Sequence, residues 1–518
     1  MKYSIIPRPV RYDVKDDQTV TVSDMTAIRC VRRFISVGNE LSEYLHTRHD
    51  AGENEIIISW AKSIAPEGYA LYTENGNIHI KASTATGAYY AFVTLKWILM
   101  QVKKVDGKKT LTGFLIEDKP CYRHRGMMLD ECRHFFGVST VKNLLDHMSM
   151  LKLNVFHWHL ADDQGYRIES KAFPLLNEVG SKRRYETLKK RKQDPSQPEY
   201  GPFFYTHDEI REIVKYAAKK RIRVIPEIDI PGHTTAMIAA YPELSCDGEK
   251  VDVNVSTGIM PAILCAGNEK TYEFLEKLFD EVCPLFPSRS FHIGGDEARY
   301  GKWRKCPKCQ EKIKENSLRN EKHLQMYFMG RVNEMLRHRG KTSIAWNDCL
   351  GDELDKDIVC HYWTFQNAAT VKKQAKKREV ILSPMLDFYF NYSYGSIPLK
   401  KTYKFNEKKK GFQKKGVRVR GIEAELWTEW INTPEAVEYS VYPRLSALAE
   451  VAWVKLENRK YKDFRQRQKF YKLYLRSKGV NYYRLDEKTR RKLIPVFSHG
   501  NDGKEFRKNE KYKQNGKK

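Results

Sequence analysis

Short apolar segments alternate with amphipathic segments between about residues 122 and 453 of this 518-residue chain. The apolar segments have the length and composition of buried strands, and several are separated by stretches with apolar residues every three or four positions. Eight strands with intervening helices favour an α/β fold of the (β/α)8, or TIM, barrel type over an open sheet. The predicted strands are 126–130, 154–160, 223–228, 291–293, 342–346, 358–363, 380–383 and 421–427, and the clearest helices are 141–152, 207–220, 269–281 and 321–339.

The turn after the first strand argues against a doubly wound open sheet. Such a sheet usually has a glycine-rich phosphate turn at this point. This chain has Asp130-Glu131-Cys132-Arg133 there, so the sequence predicts that polar side chains follow the strands instead.

Residues 1–119 predict a small α+β domain that precedes the barrel. Strand candidates at 55–60, 69–73 and 77–81 include a pair joined by the hairpin signal Asn75-Gly76, and helical spacing follows at 87–101. One helix can cover one face of such a sheet. We therefore expect an α+β domain at 1–119, a catalytic barrel at 120–455, and a basic helical extension with a frayed tail at 456–518.

The formal net charge of +27 raises the question of a nucleic-acid partner. Part of this charge is concentrated at 400–420, where ten basic residues accompany one acid, Glu407. No recognition helix, zinc-finger pattern or single-strand-binding signature accompanies it. We therefore predict neither a nucleic-acid partner nor a membrane partner, since no apolar run approaches the roughly 20 residues that span a bilayer.

The ten cysteines are scattered, which suits a reducing compartment better than a disulfide framework. Cys306 and Cys309 resemble half of a zinc or redox site, but no second pair follows at knuckle spacing. We interpret them as a plain loop or helix start, and predict no metal and no cofactor. The N-terminus lacks a signal-peptide core, which predicts a cytoplasmic protein, or a periplasmic or secreted one after removal of a leader.

The barrel prediction can be tested on polar residues, because the active sites of such barrels lie at the carboxyl ends of the strands. Charged, polar and aromatic residues do lie at the carboxyl ends of the predicted strands. They are Asp130, Glu131 and Arg133; His157, Trp158, His159, Asp162 and Asp163; Asp229 and His233; Asp296 and Glu297; Trp346 and Asp348; Trp363; Tyr389 and Asn391; and Glu425, Trp427, Glu429 and Trp430.

Asp296 and Glu297 follow the fourth strand directly after two glycines. Ordinary glycosidases place two carboxylates about 5 Å apart, or about 6.5–9.5 Å apart, on either side of the sugar. Consecutive strand residues point to opposite faces, so an adjacent pair does not suit this arrangement. If both acids are catalytic, the nucleophile comes from elsewhere; otherwise they form a surface turn with two solvated acids.

The tryptophans favour a sugar as the ligand, because apolar sugar faces stack on aromatic rings and hydroxyls need charged partners. Trp346, Trp363 and Trp427 could enclose a pyranose, with Arg125 and Glu429 holding its hydroxyls. It stays open whether one or two of these tryptophans simply pack in the core.

The motif from His292 to Glu297 resembles the signature of glycoside hydrolase family 20, the β-N-acetylhexosaminidases. Similar family motifs occur in order at 125–135, 157–163, 229–233 and 426–429, and the resemblance covers about 120–453 and the preceding α+β domain. Trp303 with Cys306 and Cys309 also resembles a stretch common in bacterial members. The resemblance implies an exo-acting enzyme that removes terminal β-GlcNAc or β-GalNAc from glycans.

The resemblance also implies substrate-assisted catalysis with retention, in which the 2-acetamido oxygen of the sugar attacks its own anomeric carbon. By this analogy Glu297 is the general acid and base, and Asp296 orients the acetamido N–H. Further roles carried over are Asp162 and His233 behind Glu297; Arg125 and Glu429 at the 3- and 4-hydroxyls; Trp346, Trp363 and Trp427 around the acetamido group; and Tyr389 as donor to its oxygen.

One position departs from the family pattern. Family members commonly have Tyr-x-Asp after strand seven, where this chain has Tyr389-Phe390-Asn391. Asn391 removes a negative charge from the expected substrate-binding set, which motivates the hypothesis of tolerance for 6-sulfated sugars. The sequence is also compatible with a disaccharide-releasing enzyme of the lacto-N-biosidase type and with an inactive glycan-binding protein. It does not predict an oligomeric state.

Overall fold

The computed structural model describes residues 2–47, 52, 54–185 and 196–484. It consists of two compact units. The first, here the sheet unit, comprises Met1–Arg123, His147–Leu153 and Leu445–Val480. The second, here the barrel unit, comprises His124–Asp146, Asn154–Arg444 and the chain from Asn481. Residues 485–518, which include the predicted frayed tail at 504–518, lie outside the described residues.

The sheet unit contains a mixed six-stranded sheet. Its elements are β1 (Arg11–Val22), β2 (Thr26–Cys30), α1 (Ile35–Leu45), β3 (Asn54–Trp60), β4 (Tyr69–Glu74), β5 (Asn77–Ala82), α2 (Ala85–Leu99) and β6 (Lys109–Asp118). The strand order is β1-β6-β4-β5-β3-β2. The hairpin predicted at Asn75-Gly76 joins β4 to β5, and β3 pairs with β2 and β5 in parallel. The edge strands β1 and β2, the helix α1 and the internal strand β6 are not among the predicted elements.

A buried ion pair holds separate segments of the sheet unit together. Lys152 Nζ lies 3.1 Å from Asp118 Oδ2 and 2.7 Å from the Tyr69 hydroxyl, and both charged side chains are inaccessible to solvent. The indole N–H of Trp453 donates to Asp118 at 2.8 Å. Such a pair stabilises the fold only while every member has a partner.

Eight parallel strands close into a barrel in the barrel unit. They are β7 (His124–Asp130), β8 (Val155–Asp162), β10 (Arg223–Ile228), β11 (Ser290–His292), β12 (Thr342–Trp346), β13 (Val359–Tyr362), β14 (Glu379–Leu382) and β15 (Arg418–Leu426); the short β9 (Gly165–Tyr166) pairs with the end of β8. Their order is the chain order, and the circle closes because β8 pairs with both β7 and β10. The predicted (β/α)8 barrel, with an α+β domain before it in the chain, is thereby confirmed.

Branched apolar side chains from five strands form one core cluster of the barrel: Val155, Ile225, Ile344, Val359 and Ile381. All are almost fully buried, as the layered interior of this fold requires. Toward the carboxyl ends of the strands the buried residues change to histidines and acids. The apolar layer therefore supports a polar one, which forms the floor of the site described below.

The helices of the rest of the chain include all four predicted ones. They are α3 (Gly137–Met150), α4 (Leu175–Glu178), α5 (His207–Lys219), α6 (Thr235–Ala240), α7 (Glu269–Val282), α8 (Gly301–Lys305), α9 (Pro307–Glu315), α10 (Glu321–His338), α11 (Ala368–Gln374), α12 (Met385–Phe388), α13 (Leu399–Tyr403), α14 (Pro434–Val441), α15 (Arg444–Trp453) and α16 (Tyr461–Ser477). The capping box of Thr206 and Glu209, for example, starts α5 within one residue of the expected position. No described helix has the length and apolar character needed to cross a membrane.

We expect Asp118→Ala to lower the free energy of unfolding by about 3–5 kcal/mol, because it leaves the buried ammonium of Lys152 without its counter-charge. Chemical denaturation of the full chain measures this change. Asp16→Ala is the matched control, since Asp16 is largely exposed and surface changes usually stay within about 0.5 kcal/mol. Equal stability of the two variants would contradict the expectation.

Candidate active site

The carboxyl ends of β8, β10 and β11 bring three acidic segments together at one end of the barrel. Asp162 is the last residue of β8 and Asp163 follows it. Asp229 directly follows β10, with His233 four residues further on, and Asp296 and Glu297 follow β11 after a tight turn. The strand-end rule therefore places these predicted residues correctly, because neighbouring parallel strands end at the same edge.

The turn after β11 requires glycine at position 294. Gly294 has a φ of +60°, and a Cβ there would lie 1.6 Å from Asp229 Oδ1. The same oxygen of Asp229 accepts the N–H of Gly295 at 3.2 Å. The absence of a side chain lets β11 approach the end of β10 closely, and this sets the direction in which Asp296 and Glu297 leave the strand.

Both adjacent acids approach the same imidazole. His233 Nε2 lies 3.4 Å from Glu297 Oε2 and 3.8 Å from Asp296 Oδ2. The left-handed backbone of Glu297, with a φ of +48°, breaks the strand alternation that would otherwise send the two side chains apart. Asp296 is 8% exposed as a residue, whereas the Glu297 side chain is 30% exposed, so Glu297 is the more accessible acid.

The other side of His233 is held by two carboxylates. Its Nδ1 lies 3.2 Å from Asp162 Oδ1 and 3.1 Å from Asp163 Oδ2. Asp163 is itself fixed by the backbone and hydroxyl of Thr235, at 3.0 and 2.5 Å. This gives a continuous chain of polar contacts from Asp162 and Asp163 through His233 to Glu297.

The charges along this chain follow from burial and from the neighbours. Burial alone would lower the pKa of His233, but the charge of Asp162 and hydrogen bonds to Asp162 and Asp163 hold it well above its usual range. Burial would likewise raise the pKa of Asp162, yet the charges of Arg133 and His233 hold it well below. At neutral pH this chain therefore contains an imidazolium between carboxylates.

Asp296 lacks a comparable hydrogen-bonding environment. Burial raises its pKa to about 7, the charge of His233 opposes this, and the charges of Asp348 and Glu297 add to the increase. Its Oδ1 is buried and has no hydrogen-bond partner among the described residues. A buried acceptor without a donor is costly, which indicates a site that a ligand's donor completes.

Asp348 is a third acid of this cluster. The strand-end rule places it at the rim, two residues beyond β12, but it is not among the residues with a predicted role. Its Oδ2 accepts the indole N–H of Trp363 at 2.6 Å. Burial raises its pKa to about 6, and the charge of Glu297 acts in the same direction.

The prediction for Arg125 is wrong. Arg125 is the second residue of β7, completely buried, and its backbone N–H donates to the Asn154 side chain at the start of β8. It therefore lies at the amino end of the barrel, about 16 Å along the strand from Asp130 at a rise of about 3.3 Å per residue. A side chain starting there cannot meet a ligand at the opposite rim.

Arg133 occupies the position that was assigned to Arg125. It follows the carboxyl end of β7, and its Nη2 lies 2.9 Å from Asp162 Oδ2, while its Nε donates to Gln164 at 2.9 Å. Its guanidinium also lies over the Trp427 ring, 4.9 Å from the centroid. The charge of this arginine reaches Glu429 as well, where burial raises the pKa and Arg133 opposes the shift.

Four aromatic side chains lie beside the acids, as the sequence predicts, but at different depths. Trp363 and Tyr389 stack with their ring centroids 6.0 Å apart, and Trp427 lies 6.4 Å from Tyr389 and 6.0 Å from Trp346. Trp363 and Trp427 are partly exposed, whereas Trp346 is 1% exposed and donates to Glu227 inside the barrel at 2.7 Å. Trp346 is therefore also a core residue.

Asn391 lies in the same strand-seven loop as Tyr389 and is partly buried. Its side-chain oxygen is buried and has no hydrogen-bond partner among the described residues. Asn391 and Asp296 thus each hold an acceptor that awaits a donor.

A buried network of acids and histidines underlies the site and was not predicted. Glu423 lies 2.6 Å from His124 Nε2 and 2.8 Å from His157 Nδ1, and His157 Nε2 lies 3.1 Å from Glu227. Burial alone would lower the pKa of His157, but the charges of Glu227 and Glu423 raise it to about 10. These residues alternate with apolar ones along their strands, which places them on the inner face of the barrel. This alternation is the sequence pattern from which the network could be predicted.

The fold and this rim define a (β/α)8 barrel whose strand ends carry paired acids, an imidazolium and aromatic rings. Comparison with known proteins agrees in detail. Residues 122–456 match the model of the catalytic domain of glycosyl hydrolase family 20, and residues 2–119 match the model of domain 2 of that family. The chain belongs to glycosyl hydrolase family 20.

Similar proteins include β-hexosaminidases of Porphyromonas gingivalis, with 33% identity over 93% of this chain, and of Vibrio furnissii, with 34% identity over 77%. The chain spans 64% and 67% of the length of these two relatives. A solved exo-β-N-acetylglucosaminidase of Vibrio harveyi in complex with N-acetylglucosamine has a TM-score of 0.84 and 29% identity, over 93% of this chain and 79% of that one.

We expect Gly294→Ala to lower the melting temperature clearly, because the added Cβ would meet Asp229 and the left-handed backbone costs about 1–3 kcal/mol for other residues. Thermal unfolding monitored by circular dichroism measures this effect. Gly301→Ala is the matched control: it starts α8, seven residues away, and a Cβ there meets nothing within 4 Å. A Gly294→Ala protein as stable as this control would contradict the described turn.

Proposed function

We propose that the protein is an exo-acting β-N-acetylhexosaminidase that removes terminal β-GlcNAc or β-GalNAc by substrate-assisted catalysis with retention. The observation that carries the proposal is the buried, unpartnered Oδ1 of Asp296 beside the accessible acid Glu297. A 2-acetamido N–H is a donor of the kind that Asp296 lacks. The similar β-hexosaminidases and the exo-β-N-acetylglucosaminidase support the same substrate class.

In the first step the acetamido oxygen of the bound sugar attacks the anomeric carbon while the glycosidic bond breaks. Glu297 gives its proton to the departing oxygen and becomes a carboxylate. The acetamido N–H donates to Asp296, whose negative charge stabilises the positive oxazolinium ring that forms. The favourable interaction is greatest when this positive charge has developed, as transition-state stabilisation requires.

In the second step a water molecule opens the oxazolinium at the anomeric carbon. The Glu297 carboxylate removes a proton from this water and regains its acid form, and the acetamido group is restored. Two displacements at the same carbon leave its configuration unchanged. This route explains why the chain needs adjacent acids instead of two carboxylates that face each other across the bond.

His233 acts on Glu297 from behind in this proposal. Its imidazolium is held by Asp162 and Asp163 and lies 3.4 Å from Glu297. This positive charge lies beside the negative charge that Glu297 gains in the first proton transfer and stabilises it electrostatically. His233 and Asp162 are therefore positioning residues, and Glu297 is the group that meets the substrate.

The sugar hydroxyls have partners at the rim in Arg133, Glu429 and Asn391. Arg133 is fixed by Asp162 and by the ring of Trp427, so its direction is set before a ligand binds. Trp363 and Trp427 offer partly exposed faces for stacking, and Tyr389 lies between them. The deeper Trp346 closes the floor of this pocket.

The hypothesis of 6-sulfated substrates rests on Asn391 and the basic segment at 400–420. Within this segment Lys410 lies 3.0 Å from Asp387, so the charge of this lysine is matched within the protein. We propose the uncharged N-acetylhexosamine as the substrate.

We expect Glu297→Gln to reduce kcat for chitobiose by about 10²–10⁴-fold, the usual contribution of a general acid. The loss should be smaller for p-nitrophenyl β-GlcNAc, because its leaving group needs less protonation. Glu334→Gln, on the exposed face of α10, is the control and should keep full activity. An equal, small effect on both substrates would contradict the role of Glu297.

Asp296→Asn should lower kcat for both substrates by about 10²–10³-fold, since it removes the charge that stabilises the oxazolinium. Steady-state kinetics on the same two substrates measure the loss. A fully active Asp296→Asn enzyme would leave the substrate class intact and overturn the assisted mechanism.

The pH dependence should respond to Asp348. Its negative charge raises the pKa of Asp296, so Asp348→Asn should lower that pKa. The Asp296 carboxylate would then persist to lower pH, and the acidic limb of kcat/KM should move to lower pH. Asp352→Asn is the matched control, because Asp352 is exposed, and it should leave the acidic limb of kcat/KM in place. An acidic limb that stays in place or moves to higher pH in Asp348→Asn would contradict the proposed coupling between Asp348 and Asp296.

A further inference from the structure

Four cysteines from two loops of the barrel unit meet at one point. They are Cys246 and Cys265, in the loop between α6 and α7, and Cys306 and Cys309, at the junction of α8 and α9. All four sulfur atoms lie within 4.8 Å of one another. Three of the four residues are buried and Cys246 is half-buried.

The spacing of the sulfurs fits a tetrahedral metal ion. Four thiolates at about 2.3 Å from a zinc ion are about 3.8 Å apart along each edge. The observed Sγ–Sγ distances are 3.9 Å for Cys246–Cys309, 3.8 Å for Cys265–Cys306 and 3.6 Å for Cys265–Cys309.

The same distances do not define disulfide pairs. A disulfide has its sulfurs about 2.05 Å apart and joins cysteines exclusively. Here Cys265 is similarly close to Cys306 and Cys309, and Cys309 is similarly close to Cys246 and Cys265. Each sulfur therefore shares its neighbours, as ligands of one central ion do.

The two loops are built to hold these sulfurs in place. The Cys265 N–H donates to Leu244 at 2.8 Å, and the indole N–H of Trp303 donates to Leu264 at 2.8 Å. Gly267 approaches the second loop so closely that a Cβ would lie 2.2 Å from the carbonyl carbon of Lys308. These contacts fix the loops independently of the sulfurs, so the site is largely pre-formed.

The surroundings favour the charged form of a thiolate site. Cys306 is the N-cap of α9 and Cys309 lies in its first turn, where the positive end of the helix dipole stabilises anions. The Gly267 N–H donates to Cys265 Sγ. A zinc ion with four thiolates has a net charge of −2, which the positive end of the α9 dipole helps to stabilise.

We propose that Cys246, Cys265, Cys306 and Cys309 bind one structural zinc ion. On binding, four thiols release four protons and form a closed four-thiolate complex with Zn²⁺, with no change of oxidation state. Cys306 and Cys309 do lie at a helix start, which is one of the two predicted alternatives, and the proposal replaces the expectation that they bind no metal. The second pair was missed because its members are 19 residues apart and precede the first pair, Cys265 lying 41 residues before Cys306.

The position of the ion suggests what it does for the fold. The loop with Cys265 starts from the segment that carries His233, and the loop with Cys306 starts from Asp296 and Glu297. Zinc would link these two segments of the chain. It would thus be a positioning element for the acid pair and take no part in the reaction.

Metal analysis of the purified full chain, after exhaustive exchange into metal-free buffer, tests the proposal. We expect about one zinc ion per chain, released when a mercurial reagent titrates the thiols. Cobalt-substituted protein should show thiolate-to-cobalt charge-transfer bands. These two measurements on the wild-type protein decide the question even where a variant does not fold.

Cys265→Ser and Cys309→Ser should lose the zinc and melt at a lower temperature. Cys283→Ser is the matched control, because Cys283 is buried in the same unit and outside the cluster; it should keep one zinc ion. Zinc-free protein whose four cluster thiols are free, a mass lower by four hydrogens from two disulfides, or bound iron in place of zinc would each overturn the proposal.

Discussion

The barrel depends on the balance of charge among carboxylates that it buries. Glu227 and Glu423 lie inside the barrel, where an unpaired charge would cost several kcal/mol. His157 lies between them and carries the compensating positive charge. Glu227 and Glu423 can therefore occupy buried positions because a histidine from a neighbouring strand lies between them.

At the rim of the barrel the negative charge of the carboxylates is only partly compensated, and the proposed reaction uses these carboxylates. Asp162 is fully compensated by Arg133 and His233 and keeps its charge. Asp296 and Asp348 have fewer partners, and burial raises the pKa of both. In the proposed reaction the missing positive charge is supplied by the substrate itself, at the moment when the oxazolinium forms.

Two contacts made by loops at the rim fix the positions of these charged side chains. The turn at Gly294 brings the acid pair against Asp229, and the cysteine cluster joins the chain beyond the pair to the chain beyond His233. A misplacement of about 1 Å in such a site costs about 10²-fold in rate. Hydrogen bonds and close backbone packing already fix these loops, and the proposed zinc ion would add a direct link between them.

The sequence by itself determined the barrel and its strands, because local periodicity is a property of consecutive residues, and the strand-end rule then placed Asp296 and Glu297 at the rim. It did not distinguish Arg125 from Arg133, since both flank the same strand and only the direction of the strand relative to the rim separates them. The cysteine pairs were likewise invisible, because they are distant in the chain and meet only when β10 and β11 lie side by side. Tertiary structure decides such matters because charge balance and metal geometry depend on distances in space and not on spacing along the chain.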